Sequence, residues 1–584
     1  MGDAPSRDPV YVPRMSSTPL LIRASALAMV VLSASPALAA PTLATLAIPG
    51  EPAFVAIAKD ILDVRFAIDP SVAANAGLFD DAARVPSFDS ARVAALLSRI
   101  DRDLAALRTM PWRSWDVDRQ IDWRWMYAAA EDARLQLAEE RLYLHRACSW
   151  LEPLGNTYIA LLTYAPERTD VLRQVTRGIP VMVEEMRRVV VSPTARDVTA
   201  AAGVATGILT SLDAEPPGTE RDAARAALSA YAEELKGMQG LPEFTVIGAT
   251  RYEERLRRAL ILPWSPRQLL AVAQRELNEV DAAMAELRPR VTPTSPPAPT
   301  PEQSALAKDL DQKKLLGLYD EIARADRAFL GASDLLTVPA AVGPIYTRPT
   351  PEAMIPLGGD GGSMNSPPPF GDSNVGWWNV EHFKPEWTLE QRETKVVVAQ
   401  DNQRTGMGTY AVHEGVPGHH LQLSIARLNP NPLRSILQDN GLVEGWAMYA
   451  EEIFWRAGGL GDSPEAEYRK LGSWRFRVRR VFYDVNVECG DWTLQDGADF
   501  KDEARHGAGG VDDDSERAIN WPSQLICYFA GKTQILELRD AYRAKLGPAY
   551  TDRKFNDALL AEGSIPVALI RAKLLGEPVP GVEP

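Results

Sequence analysis

Apolar residues recur at steps of three and four positions along most of the chain, which is the spacing of helices with one face in a core. Proline and glycine separate these segments and mark where each helix begins or ends. The first half of the chain carries these helical segments at 89–110, 118–146, 169–191, 221–237 and 265–287. A further helix is predicted around 304–330, and helices resume after residue 400. The pattern predicts a mainly α, multi-helix protein.

Strand signals are scarce and short. Residues 375–380 (VGWWNV) and 395–400 (KVVVAQ) are rich in β-branched and aromatic residues, and they predict a small β element at an edge of the molecule. Between 340 and 386 the chain carries many Pro and Gly residues, as in GGDGGSMNSPPPFGDS. A loop of this length in a compact protein is usually functional or disordered.

Residues 289–303 are rich in Pro and Thr and predict an exposed connector. This segment is either a linker between two domains or an insertion within one. We therefore divide the chain into an N-terminal helical region at 40–288, this connector, and a C-terminal helical region at 304–584 that carries the candidate chemistry.

The first 39 residues are interpreted as a signal peptide. Arg14 and Arg23 precede a short apolar stretch, and Ala37-Leu38-Ala39 has the small-x-small pattern of a cleavage site. The stretch is shorter than the roughly 20 residues that span a bilayer, and no later stretch is apolar enough to do so. The prediction is an exported protein, periplasmic or extracellular after cleavage, with no stable membrane span.

The composition of the chain argues against some classes of function and points to its histidines. The net charge of −15 and the pI near 5.1 argue against non-specific binding to nucleic acid, which needs an excess of cations. Three cysteines (Cys148, Cys489 and Cys527) are too few for a disulfide framework or a cysteine-rich zinc site. The chain has six histidines, and three of them fall between positions 413 and 420. This clustering is the strongest chemical signal in the sequence.

The segment 409–425 (TYAVHEGVPGHHLQLSI) contains the start of a zinc-peptidase motif. His413 followed by Glu414 reproduces the first half of H-E-x-x-H, in which two histidines bind zinc and the glutamate acts as general base. The strict motif fails at Pro417, and the next histidines are His419 and His420.

The residues between His413 and His419 are those that an interrupted helix requires. On a regular helix His420 would lie about 10.5 Å along the axis from His413, too far for both rings to meet one ion. Pro417 cannot donate a backbone hydrogen bond, and glycines flank it on both sides. We expect a kink there that returns either His419 or His420 to the side of His413.

A second segment, 441–455 (GLVEGWAMYAEEIFW), supplies carboxylates on a predicted helix that begins near Leu442. Glu444 and Glu451 are seven positions apart, on a stripe whose other members are Ala447 and Met448. Burying a carboxylate in such a stripe is costly unless a cation or hydrogen-bond donors balance it. A metal ion would do so, and Glu444 is therefore a candidate third ligand.

HEGVPGHHLQ followed by EGWAMYAEE resembles the signature of the bacterial DUF885 family, which is regarded as related to helical, gluzincin-type zinc peptidases. The resemblance is strongest over 400–545. It implies an oligopeptidase-like helical architecture with a deep cleft and one Zn²⁺ per chain. His413 would be a ligand, Glu414 the general base and Glu444 the third ligand. The second histidine stays open: Leu421-Gln422 continues the family pattern from His420, whereas His419 is nearer to His413.

A third segment, 520–532 (NWPSQLICYFAGK), is similar to the family's Pro-Gly-Gln…Tyr…Gly stretch. The resemblance implies that Tyr528 donates to the oxyanion of a tetrahedral intermediate; the alternative is a buried helical aromatic residue. Two positions depart from the family pattern. Ser523 stands where glycine is usual, and Glu488 stands where histidine is usual, which predicts altered or reduced activity if that histidine assists the reaction.

These inferences together predict an exported zinc-dependent peptidase acting on short peptides through metal-activated water, with Glu414 as general base. Two alternatives use the same residues. One is a non-catalytic exported binding protein that keeps the metal, and the other is a metal-dependent hydrolase of a non-peptide amide or ester.

Overall fold

The computed structural model describes residues 40–213, 215–240, 246–291, 297–505 and 513–582. The predicted signal peptide at 1–39 lies outside the described residues. The mainly α fold class and the small β element are confirmed, whereas the deep cleft stays a prediction. The described residues from Ala40 onwards form one compact unit.

Helices fill the N-terminal region, and the predicted segments there are confirmed apart from one end. Asp89 begins α3 by accepting hydrogen bonds from the backbone N–H groups of Ala91 and Arg92. The helix predicted over 118–146 is shorter than predicted. The α-helix ends at Arg134, and a π turn follows it as far as Glu140. The helices of this region are α1 Pro52–Ile68, α2 Pro70–Ala76, α3 Ser90–Thr109, α4 Val117–Arg134, α5 Cys148–Tyr164, α6 Thr169–Val189, α7 Ala195–Leu212, α8 Thr219–Gly237, α9 Ala249–Glu254 and α10 Pro266–Leu287.

The C-terminal region is also helical, but the single helix predicted at 304–330 is two helices. The two helices are separate because the side chain of Asp311 accepts a hydrogen bond from the N–H of Lys314 and so begins the second helix. The helices are α11 Pro301–Lys308, α12 Gln312–Ala332, α13 Ile355–Gly358, α14 Leu389–Gln400, α15 Asn402–Thr405, α16 Met407–Glu414, α17 His419–Ala426, α18 Asn440–Arg456, α19 Pro464–Cys489, α20 Leu494–Arg505, α21 Asp513–Asn520, α22 Cys527–Leu546, α23 Asp552–Leu560 and α24 Val567–Leu575.

The β element is a three-stranded sheet made of β1 Ile345–Pro349, β2 Ser363–Asn365 and β3 Gly376–Val380, in the order β1-β3-β2. β1 pairs with β3 in parallel and β2 pairs with β3 antiparallel. The strand predicted at 375–380 is confirmed, whereas 395–400 is wrong because it lies in α14. Thr388 and Gln391 form a capping box that begins this helix. Its buried valines, Val396 and Val397, are the residues that suggested a strand.

The two halves of the chain share one large core, and the candidate site lies where that core meets two smaller ones. Trp125 of α4 donates its indole N–H to the carbonyl of Leu433 at 3.0 Å. Val412 belongs to the large core, Ala411 to the core around the sheet, and Tyr528 to the core between α10 and α19. The site is therefore held by helices whose positions are fixed from three sides.

Within the described part of the chain, none of the helices combines the length and the apolar composition that crossing a bilayer would need. Cys148, Cys489 and Cys527 are each unpaired.

Candidate metal centre

The interruption predicted at Pro417 is a complete break between α16 and α17. Helix α16 ends at Glu414, and the N–H of Gly418 donates to the carbonyl of Val412 at 3.0 Å. A Cβ at Gly418 would lie 2.0 Å from the carbonyl oxygen of His413, so only glycine fits there. Trp446 donates its indole N–H to the carbonyl of Pro417 at 2.8 Å, which ties the turn to α18.

Helix α18 brings its carboxylates to this turn. Asp439 begins the helix by accepting from the N–H of Leu442 at 2.7 Å. The backbones of α18 and α22 approach closely, because a Cβ at Gly445 would lie 2.4 Å from the carbonyl carbon of Gly531. This close packing carries the start of α22, with Tyr528, to the same place.

His413, His419 and Glu444 converge. The Nε2 atoms of His413 and His419 lie 3.4 and 3.3 Å from Oε2 of Glu444. The three ligand atoms lie within 4.8 Å of one another. Three side chains of this kind are the set with which a catalytic zinc site leaves one position open.

His413 and Glu444 shift each other's pKa in opposite directions. Burial lowers the pKa of His413, but its contacts with Glu444 and Glu451 raise the pKa by more than burial lowers it. The result is a pKa of about 10. Burial raises the pKa of Glu444, but His419 and His413 hold it well below the usual range. Oε2 of Glu444 is buried and has no hydrogen-bond partner among the described residues. A proton on His413 offsets part of the charge of the Glu444 carboxylate, and a metal ion held by the three side chains would offset it as well.

Glu451 fixes the orientation of His413. Its Oε1 atom lies 2.8 Å from Nδ1 of His413, and its Oε2 accepts from the hydroxyl of Ser473 at 3.5 Å. Metal-ligating histidines generally make such a bond with the second ring nitrogen. Glu451 belongs to the stripe of residues that the sequence predicts on this helix. No role was predicted for it, because the spacing alone does not show which side chain it contacts.

Glu414 lies beside the cluster, and its side chain is buried. Burial raises the pKa of its carboxyl, whereas His419 and His413 lower it; the net direction is upward. A carboxyl group whose pKa lies above its usual value is better suited to accepting and passing on a proton.

Tyr528 is in ring contact with the cluster. Its ring centroid is 6.4 Å from that of His413, at an interplanar angle of 22°. Its hydroxyl accepts from the side-chain amide of Gln524 at 3.4 Å. The predicted acid–base and oxyanion residues, Glu414 and Tyr528, are therefore both next to the three convergent side chains.

His420 does not join them. Its Nε2 lies 3.0 Å from the carbonyl oxygen of Gly343, and a Cβ at Gly376 would meet its Nδ1 at 2.3 Å. Burial lowers its pKa to about 4. Of the two histidines that the sequence left open, His419 faces Glu444 and His420 faces the loop and strand of the sheet.

Of the two positions that depart from the family pattern, Ser523 lies on the segment that leads to Tyr528, and Glu488 lies near the end of α19. The carboxylate of Asp484 accepts from the N–H groups of Ser523 and Leu525 at 2.9 Å and from the hydroxyl of Tyr252 at 2.7 Å. Ser523 has a φ of +66°, which explains glycine at this position. Glu488 is buried one helical turn after Asp484 and accepts from the N–H of Ile247 at 3.4 Å.

The family model described as "Bacterial protein of unknown function (DUF885)" matches residues 70–574, which confirms the resemblance of the two motifs. The relation to gluzincin-type peptidases stays a prediction. A search of curated proteins found no match.

Two of the solved structures that are similar to the chain come from candidate lipoproteins. One is a candidate lipoprotein of unknown function from Shewanella oneidensis, with a TM-score of 0.66 and 18% identity, covering 89% of this chain and 99% of that one. The other is a candidate lipoprotein from Colwellia psychrerythraea, with a TM-score of 0.68 and 16% identity, covering 89% and 98%. At these identities the likeness shows a shared fold alone.

Proposed function

We propose that this chain, which belongs to the bacterial DUF885 family of unknown function, is a zinc-dependent peptidase. The observation that carries the proposal is the buried Oε2 atom of Glu444. It lies 3.4 and 3.3 Å from two imidazole Nε2 atoms and makes no well-aligned hydrogen bond with either of them or with any other described residue. An acceptor left in this way is costly unless a cation occupies the space between the three side chains.

His413, His419 and Glu444 would hold the metal, and their nitrogen and oxygen atoms are the donors that zinc takes in catalytic sites. When bound there, zinc supplies Lewis acidity that polarises a carbonyl and lowers the pKa of water. Glu414 takes the proton of the attacking water and passes it to the leaving amine. Tyr528 donates its hydroxyl hydrogen to the oxygen of the attacked carbonyl, and Glu451 keeps the Nε2 atom of His413 free for the metal.

The substrate class that we propose is short peptides outside the cytoplasm. Short peptides follow from the motif resemblance to helical peptidases, which is an analogy of fold and motif. Export is supported by the leader pattern at 1–39 and by the two similar structures, which come from candidate lipoproteins.

The test compares Glu414→Gln with Glu444→Gln, measuring zinc content and turnover of a peptide library side by side. Glu414→Gln keeps size and hydrogen bonding, so zinc content should stay near one per chain while turnover falls by roughly 10²–10⁴-fold. Glu444→Gln removes a charged ligand, so it should lose zinc as well.

Three outcomes contradict the proposal or its assignments. Wild-type turnover in Glu414→Gln, or zinc loss as severe as in Glu444→Gln, would show that the two roles are wrong. Zinc without any peptide turnover in the wild-type protein would favour the non-catalytic binding protein or the hydrolase of another amide or ester.

A further inference from the structure

Two arginines of α19, Arg477 and Arg480, lie over the ring of Tyr528. Their guanidinium carbons are 5.4 and 5.1 Å from the ring centroid. Arg480 is paired with Asp514 at 3.1 Å. Arg477 has no ion pair or hydrogen bond with any residue that the structure describes, and its Nε atom is buried without a partner. One of the two cations is therefore balanced and the other is not.

The guanidinium of Arg477 lies next to the candidate metal centre, because the ring of Tyr528 over which it lies also contacts the ring of His413. Burial raises the pKa of Glu414 and of Tyr528, and Arg477 is among the charged groups that lower both. It has the same effect on Tyr410, one helical turn before His413. Arg477 is thus next to the proposed oxyanion donor, and its charge acts on the proposed base.

A partly buried guanidinium without a counter-ion is unfavourable, and its planar fork matches a carboxylate in a bidentate manner. We propose that Arg477 binds a carboxylate of the substrate and so determines specificity next to the cleaved bond. The proposal rests on the proposed function, because it takes the substrate to be a peptide held at the same site.

Two parts of a peptide carry this chemistry, the free C-terminus and an acidic side chain. Each residue of an extended peptide spans about 3.3–3.6 Å. A carboxylate held beside Tyr528 would therefore be about one to three residues from the cleaved bond. If it is the C-terminus, the protein releases small C-terminal fragments; if it is a side chain, the protein cleaves next to Asp or Glu.

The experiment measures binding in the zinc-loaded Glu414→Gln protein, in which we expect cleavage of bound peptides to be strongly slowed. A pool of N-acetylated tripeptides with free C-termini is compared, by equilibrium dialysis and mass spectrometry, with the same pool as C-terminal amides. The second protein adds Arg477→Gln. The control adds Arg475→Gln, which removes an arginine of the same helix that is paired with Asp281 instead.

A preference for free acids that is lost with Arg477→Gln, by about 10- to 100-fold in Kd, and kept with Arg475→Gln supports the C-terminal source. A preference confined to amides that contain Asp or Glu, lost in the same way, supports the side-chain source. If Arg477→Gln weakens acids and neutral amides equally, or neither, the proposal is overturned.

Failure of the proposed function is a separate result. If the wild-type protein cleaves no peptide but still prefers carboxylates through Arg477, the peptidase assignment fails and the carboxylate site stands. If peptides are cleaved with no difference between the wild-type protein and Arg477→Gln in KM for acids and amides, the peptidase assignment stands and the carboxylate site fails.

Discussion

Nδ1 of His413 and Oε1 of Glu451 are 2.8 Å apart, and this contact leaves Nε2 of the same ring 3.4 Å from Oε2 of Glu444. Glu451 therefore selects which nitrogen is available to a metal. The carboxylate also makes the imidazole a stronger donor, because it stabilises the N–H on the opposite side of the ring. Its role is to position His413, because among the described residues its carboxylate contacts His413 and Ser473.

We expect Glu451→Gln to weaken zinc binding by about 10- to 100-fold without abolishing it, since the ligands remain but one loses its charged support. Competition with a chelator of known affinity measures the change. Glu452→Gln is the matched control, because Glu452 is the next residue on the helix and pairs with Lys532 at 2.8 Å. Equal losses of zinc affinity in both variants would show that Glu451 has no specific role.

His419 and His420 should differ sharply as alanine variants. His419→Ala removes a proposed ligand and should lose zinc, whereas His420→Ala should retain it, because His420 faces the carbonyl of Gly343. His420 is completely buried, so its loss should lower thermal stability instead. Zinc content and melting temperature of both variants check this. Retention of zinc by His419→Ala together with its loss in His420→Ala would reverse the assignment.

The sequence predicted the break at Pro417, because a missing N–H donor and two glycines cannot continue a helix. It did not predict which histidine follows the break into the site. That choice depends on the rotation of α17 after a non-helical turn, which the bond from Trp446 to the carbonyl of Pro417 helps to fix. Such a contact joins residues 29 positions apart and leaves no local pattern.

The strand predicted at 395–400 was wrong because its local sequence pattern is ambiguous. A short run of valines suits either a strand or a buried helix segment, and periodicity does not separate them. The deciding signal was Thr388 and Gln391 upstream, whose capping box begins α14. The strands β1 and β2 were missed because they lie in Pro- and Gly-rich sequence, and pairing with β3 stabilises them.

Ser523→Gly should stabilise the protein slightly. The φ of +66° is unfavourable for an L residue by roughly 1–2 kcal/mol, and glycine removes that strain. Part of the gain is offset because glycine has more freedom in the unfolded chain, by about 0.5–1 kcal/mol. We therefore expect a small rise in melting temperature. Ser523→Ala is the control and should give no rise; a fall in both variants would indicate that the serine hydroxyl is needed.

The last prediction concerns Asp439, which begins the helix that carries Glu444. Burial raises the pKa of this carboxyl to about 7, although the N–H of Leu442 lowers it. The folded protein therefore holds this proton more tightly than the unfolded chain, whose value is near 3.9. The contribution of Asp439 to stability is then fully present below about pH 4 and is lost as the pH rises from about 4 through about 7, by up to about 1.4 kcal/mol per pH unit.

Asp439→Asn keeps an oxygen that accepts from Leu442 but carries no charge at any pH. Relative to the wild-type protein, we expect it to melt at a similar or lower temperature at pH 5 and at a higher temperature at pH 8. Zinc binding also depends on pH, but both proteins keep the same ligands, so the difference between them isolates Asp439. Asp116→Asn is the control, because Asp116 begins α4 in the same way with an exposed side chain. A temperature difference for Asp439→Asn that is constant from pH 5 to pH 8 would show that the buried carboxyl does not govern this dependence.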